Sequence, residues 1–70
     1  MQRNWLIQLR GNNTQRKIAE QCGISQNFYS WIESGDRTPS VKVAKKIANI
    51  LGFDWTLFYQ EEQIDEYKPN

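Results

Sequence analysis

The sequence predicts an all-α protein built from five short helices. Apolar residues recur at helical spacing, no stretch alternates polar and apolar residues as a strand does, and small polar residues and glycines occur where helices would begin and end. A chain of 70 residues is long enough for one domain only. We therefore predict a compact domain over residues 1–59, followed by an acidic, flexible tail over residues 60–70.

The first two helices are separated by a short turn. An apolar stripe predicts a helix over residues 2–10, and the Gly-Asn-Asn sequence at 11–13 ends it. Thr14 is expected to cap the second helix, because its hydroxyl can accept a hydrogen bond from a backbone N–H in the first turn. Gly23 is expected to end that helix in the left-handed conformation, which costs glycine nothing.

Three more helices follow from the same signals. Ser25 is predicted to cap the third helix, Ser40 the fourth and Asp54 a short fifth. Since Gly23 and Ser25 are only two residues apart, the second and third helices form a helix–turn–helix. Such a motif holds its two helices at a steep angle and leaves the N-terminal half of the second one projecting.

Charge is divided unequally along the chain. Residues 1–53 carry eight basic and three acidic side chains, whereas residues 54–70 carry one basic and five acidic side chains. A basic body indicates a polyanion as partner. Ordinary surface charge explains the same division equally well.

Several function classes are excluded by composition. Cys22 is the only cysteine and histidine is absent, which rules out an internal disulfide and leaves too few ligands for a structural zinc ion. No nucleophile motif, phosphate loop or paired catalytic carboxylates occur, so we expect neither an enzyme nor a cofactor. The sequence contains no long apolar run, and a reduced thiol fits the cytoplasm.

The projecting helix of a helix–turn–helix suits the major groove of double-stranded DNA. Gln26 and Asn27 begin the third helix, and their amides can pair bidentately with adenine; Ser30 lies one turn further along. Gln15 begins the second helix, where the helix dipole favours a phosphate. Four basic residues at flanking positions are expected to contact other phosphates: Arg16, Lys17, Arg37 and Lys42.

The ordered set of motifs resembles the Cro/repressor-type helix-turn-helix family of phage and bacterial regulators. The resemblance extends from about Leu6 to Phe58 and rests on Thr14-Gln15, Ile18-Ala19, Gly23-Ile24-Ser25, Ile32-Glu33, Gly35, Arg37 and Pro39-Ser40. It implies a compact five-helix, repressor-like DNA-binding domain that acts as a homodimer on a pseudo-palindromic operator.

The resemblance also assigns roles to single residues. It implies that Ala19 lies where the second and third helices touch, that Arg10 pairs with Glu33, and that Trp31 joins Gln15, Gln26, Asn27 and Ser30 on the DNA-facing surface. The sequence departs from the family pattern in the short loop at 11–13, in Asn13, which replaces an apolar residue, and in Trp31, which replaces a polar or basic one. These departures leave open where the first helix lies. They also leave open whether Trp31 meets a thymine methyl or folds back onto the domain.

The C-terminal part of the domain carries more apolar residues than so short a segment can bury. Some are expected to close the core and the rest to form a dimer interface, the candidates being Phe53, Trp55, Leu57 and Phe58. The leading interpretation is a repressor. The alternative is a protein-interaction module, such as an antitoxin, in which this segment binds a protein partner and DNA binding is secondary.

Overall fold

The computed structural model describes residues 2–60, and within them it contains only helices, turns and loops. The all-α prediction is therefore confirmed, whereas the predicted tail lies outside the described residues apart from residue 60. The helices are α1 (Asn4–Arg10), α2 (Gln15–Cys22), α3 (Gln26–Ser34), α4 (Val41–Leu51) and α5, which begins at residue 57 and reaches residue 60, the last described residue. None of these helices is long and apolar enough to cross a membrane.

Three helices begin at the capping residues that the sequence predicts. The hydroxyl oxygens of Thr14, Ser25 and Ser40 each accept a hydrogen bond from the backbone N–H three residues later, at 3.1, 3.0 and 3.3 Å. Each of these three residues has an extended backbone, as an N-cap requires. Each cap satisfies one of the N–H groups that a helix start leaves without a partner.

Two helices begin later than predicted. The helix expected from residue 2 begins at Asn4, because the backbone N–H of Arg3 donates to the carbonyl of Glu33 at 2.7 Å and so is held outside the helix. The segment after Asp54 first forms a turn, in which the Asp54 carboxylate accepts from the backbone N–H and the hydroxyl of Thr56 at 3.0 and 2.8 Å. These hydrogen bonds lower the pKa of Asp54.

The core lies between α2, α3 and α4, and α1 covers it from the side of α3. Ala19 is 1% exposed and lets α2 approach its neighbours closely. Phe58 closes the core: it is completely buried, and its ring lies edge-on to the rings of Trp5 at 5.2 Å and Phe53 at 5.7 Å. The assignment of Phe58 to a dimer interface was therefore wrong, because its side chain leaves no surface for a second chain.

Candidate nucleic-acid interface

The turn between α2 and α3 is built around Gly23. This glycine adopts the left-handed conformation, with φ 73° and ψ 30°, and its N–H donates to the carbonyls that end α2. The next N–H, that of Ile24, donates to the carbonyl of Ala19 at 3.0 Å. This arrangement satisfies the last carbonyls of α2 and turns the chain sharply. As a result Ser25 can begin α3 only two residues after Gly23.

The start of α3 presents its polar side chains to solvent. Gln26 and Asn27 are exposed, and neither forms a side-chain hydrogen bond to another residue within 2–60. Ser30 is half-buried one turn later. The opposite face of the helix is anchored in the core by Tyr29 and Ile32, both of which are completely buried. The amides therefore project from a helix whose own position is held by packing.

A buried carboxylate joins α1, α2 and α3 at the end of this surface. Glu33 has a side chain that is 3% exposed, and its two carboxylate oxygens accept from Arg10 Nε at 2.6 Å and Arg10 Nη2 at 3.1 Å. Gln15 Nε2 donates to the same carboxylate at 2.8 Å. A pairing of Arg10 with Glu33, which the family resemblance implies, is thus present with bidentate geometry.

The cluster of Arg10, Gln15 and Glu33 shifts the acidities of its members. Burial by itself would raise the pKa of Glu33, but the hydrogen bonds from Arg10 and Gln15 outweigh it and lower the pKa of the carboxyl group. The hydrogen bond between Arg10 and Glu33 raises the pKa of Arg10. Glu33 is therefore ionised at neutral pH and holds Gln15 in one orientation. The second N–H of the Gln15 amide remains available to a phosphate oxygen.

The four predicted phosphate contacts are all exposed: Arg16, Lys17, Arg37 and Lys42. Arg16 forms an ion pair with Glu20 at 3.5 Å, in which both side chains remain mostly exposed. Such a pair is weak in water and is easily exchanged for a phosphate. Arg37 lies with its guanidinium carbon 5.3 Å from the centre of the Trp31 ring.

Trp31 does not fold back into the core. Its side chain is 43% exposed on the outer side of α3. Its backbone carbonyl accepts from the N–H of Arg37 at 3.2 Å and from the hydroxyl of Ser34 at 3.0 Å. The loop after α3 therefore curls back along the helix and brings the Arg37 guanidinium next to the indole.

Arg3 has a role that sequence reasoning missed. Its side chain is buried at 3% exposure and donates to the carbonyls of Ile32 and Arg37 and to the hydroxyl of Thr38. Its guanidinium also lies 5.4 Å from the centre of the Phe58 ring. The positive charge thus meets the negative end of the α3 dipole and holds the loop that carries Arg37. No local pattern reveals this role, because the partners are 29 to 35 residues away along the chain.

The remaining residues of the predicted dimer interface, Phe53, Trp55 and Leu57, are half-buried. Phe53 packs against Trp5 at 5.3 Å. Trp55 lies between Tyr59, at 6.0 Å between ring centres, and Lys45, whose ammonium is 5.2 Å from the indole. All three residues therefore keep part of their surface in solvent.

Known proteins match the chain over most of its length. A family model described as helix-turn-helix matches residues 6–58, which agrees with the extent of the resemblance seen in the sequence. The chain is 44% identical over 72 aligned positions to the uncharacterized HTH-type transcriptional regulator YqaF of Bacillus subtilis (strain 168). That alignment covers 100% of this chain and 93% of the relative. No solved structure matches the chain significantly.

Proposed function

This chain belongs to the Cro/repressor-type helix-turn-helix family of DNA-binding transcriptional regulators, and we propose that it is a repressor that binds a pseudo-palindromic operator as a homodimer. The observation that carries this proposal is the start of α3. Two exposed amides, Gln26 and Asn27, project there without partners among residues 2–60, on a helix that the core holds in place. Amides in this position suit the hydrogen-bonding edge of adenine in the major groove.

The surroundings of α3 support binding to a duplex. The Arg10–Glu33–Gln15 cluster fixes the start of α2 relative to α3, so that a phosphate at Gln15 and bases at Gln26 and Asn27 are contacted by one rigid unit. Side chains that are ordered before binding lose less entropy on binding, about 0.5–1.5 kcal/mol for each. The exposed basic residues supply the salt-dependent part of the affinity.

The segment after α4 supports the proposed dimer. Phe53, Trp55 and Leu57 keep apolar surface exposed that a second copy would bury. Two copies related by a two-fold axis present two α3 helices, which meet successive major grooves when the half-sites are about 34 Å apart. A dimer bound to its operator blocks the promoter that the operator overlaps, and we place this action in the bacterial cytoplasm, whether a bacterial or a phage genome encodes the protein.

The first experiment is selection from a random duplex pool, followed by titration of the selected duplex at several salt concentrations. We expect a two-fold symmetric consensus bound far more tightly than random DNA. Gln26→Ala should relax the preference at one base position in each half-site, at a cost of about 1–3 kcal/mol in discrimination. The matched control is Gln8→Ala, which removes an exposed amide from α1 and should leave the consensus unchanged. A pool that returns no consensus contradicts the proposal.

Two further measurements test the dimer and the sign of regulation. Sedimentation of the Trp55→Gln variant should show weaker self-association than the wild type at equal concentration. Transcription in vitro from a promoter that overlaps the selected site should fall as the protein is added. A chain that stays monomeric on its operator, or a rise in transcription, contradicts that part of the proposal.

A further inference from the structure

The outer side of α3 carries one feature that the amide contacts leave unused. Trp31 is 43% exposed, and it is the only large apolar residue of α3 that is so exposed within the described part of the chain. It lies four residues after Asn27, so it follows that amide by about one helical turn on the same side of the helix. An exposed indole at this place is unfavourable in the free protein, because its apolar surface contacts water. An apolar partner next to the base that Asn27 contacts would bury that surface and stabilise the complex.

The indole is held in a defined position without being buried. The hydrogen bond from the Arg37 N–H to the Trp31 carbonyl, at 3.2 Å, brings the loop against the helix. The Arg37 guanidinium then lies over the ring at 5.3 Å, a cation–π contact. Arg3 donates to the Arg37 carbonyl at 3.0 Å and fixes the loop from the other side. The ring therefore keeps part of its surface available, and a cation lies over it.

We propose that Trp31 reads the 5-methyl group of a pyrimidine in the major groove, while Arg37 binds a neighbouring phosphate. The inference rests on the proposed function and names a specificity-determining residue for it. The 5-methyl group is the apolar feature that a base pair presents in this groove. An exposed indole with a cation next to it matches a methyl group next to the phosphate backbone. Thymine and 5-methylcytosine both carry this group, so either base can supply it.

The test uses the full chain and the duplex selected from the random pool. Each thymine in the half-site is replaced in turn by uracil, which removes the methyl group and keeps every hydrogen-bonding group. At one position per half-site we expect the dissociation constant to rise about fourfold, which is the value of one buried methyl group. When both half-sites are changed, two methyl groups are lost and the rise should be about fifteen-fold. Cytosine and 5-methylcytosine are then compared at that position. If the duplex with 5-methylcytosine binds about fourfold more tightly than the duplex with cytosine, either base can supply the methyl group. If the two bind equally, the contact is specific to thymine.

Variants connect the effect to the indole. Trp31→Gln should bind the thymine and uracil duplexes equally. Leu9→Gln is the matched control, because Leu9 is an apolar residue of α1 that is 41% exposed, and it should keep the fourfold preference. Thermal unfolding checks that both variants are folded. If uracil at every position leaves the affinity for a specifically bound site unchanged, the inference is overturned and the proposed function stands. The same holds if Trp31→Gln still prefers thymine over uracil. A pool without a consensus overturns both.

Discussion

Replacing Glu33 by glutamine tests the cluster that joins the first three helices. The carboxylate accepts two hydrogen bonds from Arg10 and one from Gln15, all at 3.1 Å or less, and its side chain is 3% exposed. Removing one partner of a buried ion pair costs about 3–5 kcal/mol. Arg10, however, is 19% exposed and also donates to the carbonyl of Asn13, so part of its charge returns to water. We therefore expect Glu33→Gln to lower the free energy of unfolding by about 2–3 kcal/mol.

The assay is unfolding in urea at fixed protein concentration, because dimerisation would otherwise change the apparent stability. Thermal unfolding should show a loss of about 10–20 °C in Tm, since 1 kcal/mol corresponds to roughly 4–8 °C in a domain of this size. The double-mutant cycle with Arg10→Met, which keeps the aliphatic stem, isolates the pair itself. Glu20→Gln is the control: it makes the same change in an exposed ion pair and should cost less than about 1 kcal/mol.

The pH dependence of the same variant has a defined sign. Because the pKa of Glu33 is lowered in the folded protein, its stabilising contribution is fully present above the unfolded value of about 4.3. It is lost as the pH falls through the lowered folded value. The difference between wild type and Glu33→Gln should therefore be constant from pH 7 to about pH 5 and shrink below it. A coupling energy with Arg10 under about 0.5 kcal/mol, or a difference that grows on acidification, would refute this reasoning.

Three other outcomes are expected. Arg3→Met should lower the free energy of unfolding by about 2–3 kcal/mol, because it removes the donor to the buried carbonyl of Ile32 and the partly buried carbonyl of Arg37. Arg16→Met, at an exposed arginine, should change it by less than about 0.5 kcal/mol, and equal losses would contradict the role of Arg3. Arg37→Gln should reduce the slope of log affinity against log salt concentration by about 1 for each bound chain, on specific and random DNA alike. An unchanged slope would contradict a phosphate contact by Arg37. Cys22 is 2% exposed, and burial raises the pKa of its thiol. A thiol reagent should therefore modify it at least about a hundredfold more slowly in the native protein than in urea. Equal rates would show that the core around Cys22 opens freely.

Local features of the fold were predictable from the sequence, because short-range chemistry determines them. Thr14, Ser25 and Ser40 can satisfy a free N–H three residues later whatever the rest of the chain does. Gly23 tolerates the left-handed turn for the same kind of local reason. These features locate α2, α3 and α4. The exposed amides at the start of α3 then follow from the periodicity of the helix.

Long-range features were not predictable in the same way. The partners of Arg3 lie far along the chain, and an arginine near a chain end resembles any exposed basic residue until the fold brings it to the end of α3. Phe58 illustrates a second limit. Periodicity identifies apolar residues but does not decide which of several neighbours fills the core, and only the packing of Trp5 and Phe53 around its ring assigns Phe58 to the interior.

Substitutions on the two sides of α3 have different consequences. Tyr29 and Ile32 pack in the core and Glu33 hydrogen-bonds to Arg10, so substitutions at these residues lower the stability of the domain. Gln26 and Asn27 have no partner among residues 2–60, so under the proposed function substitutions there change the operator and leave the scaffold almost unchanged. A duplicated copy of such a gene can therefore acquire a new operator through a few substitutions on one side of one helix, and the two copies can diverge into regulators that no longer compete for the same DNA.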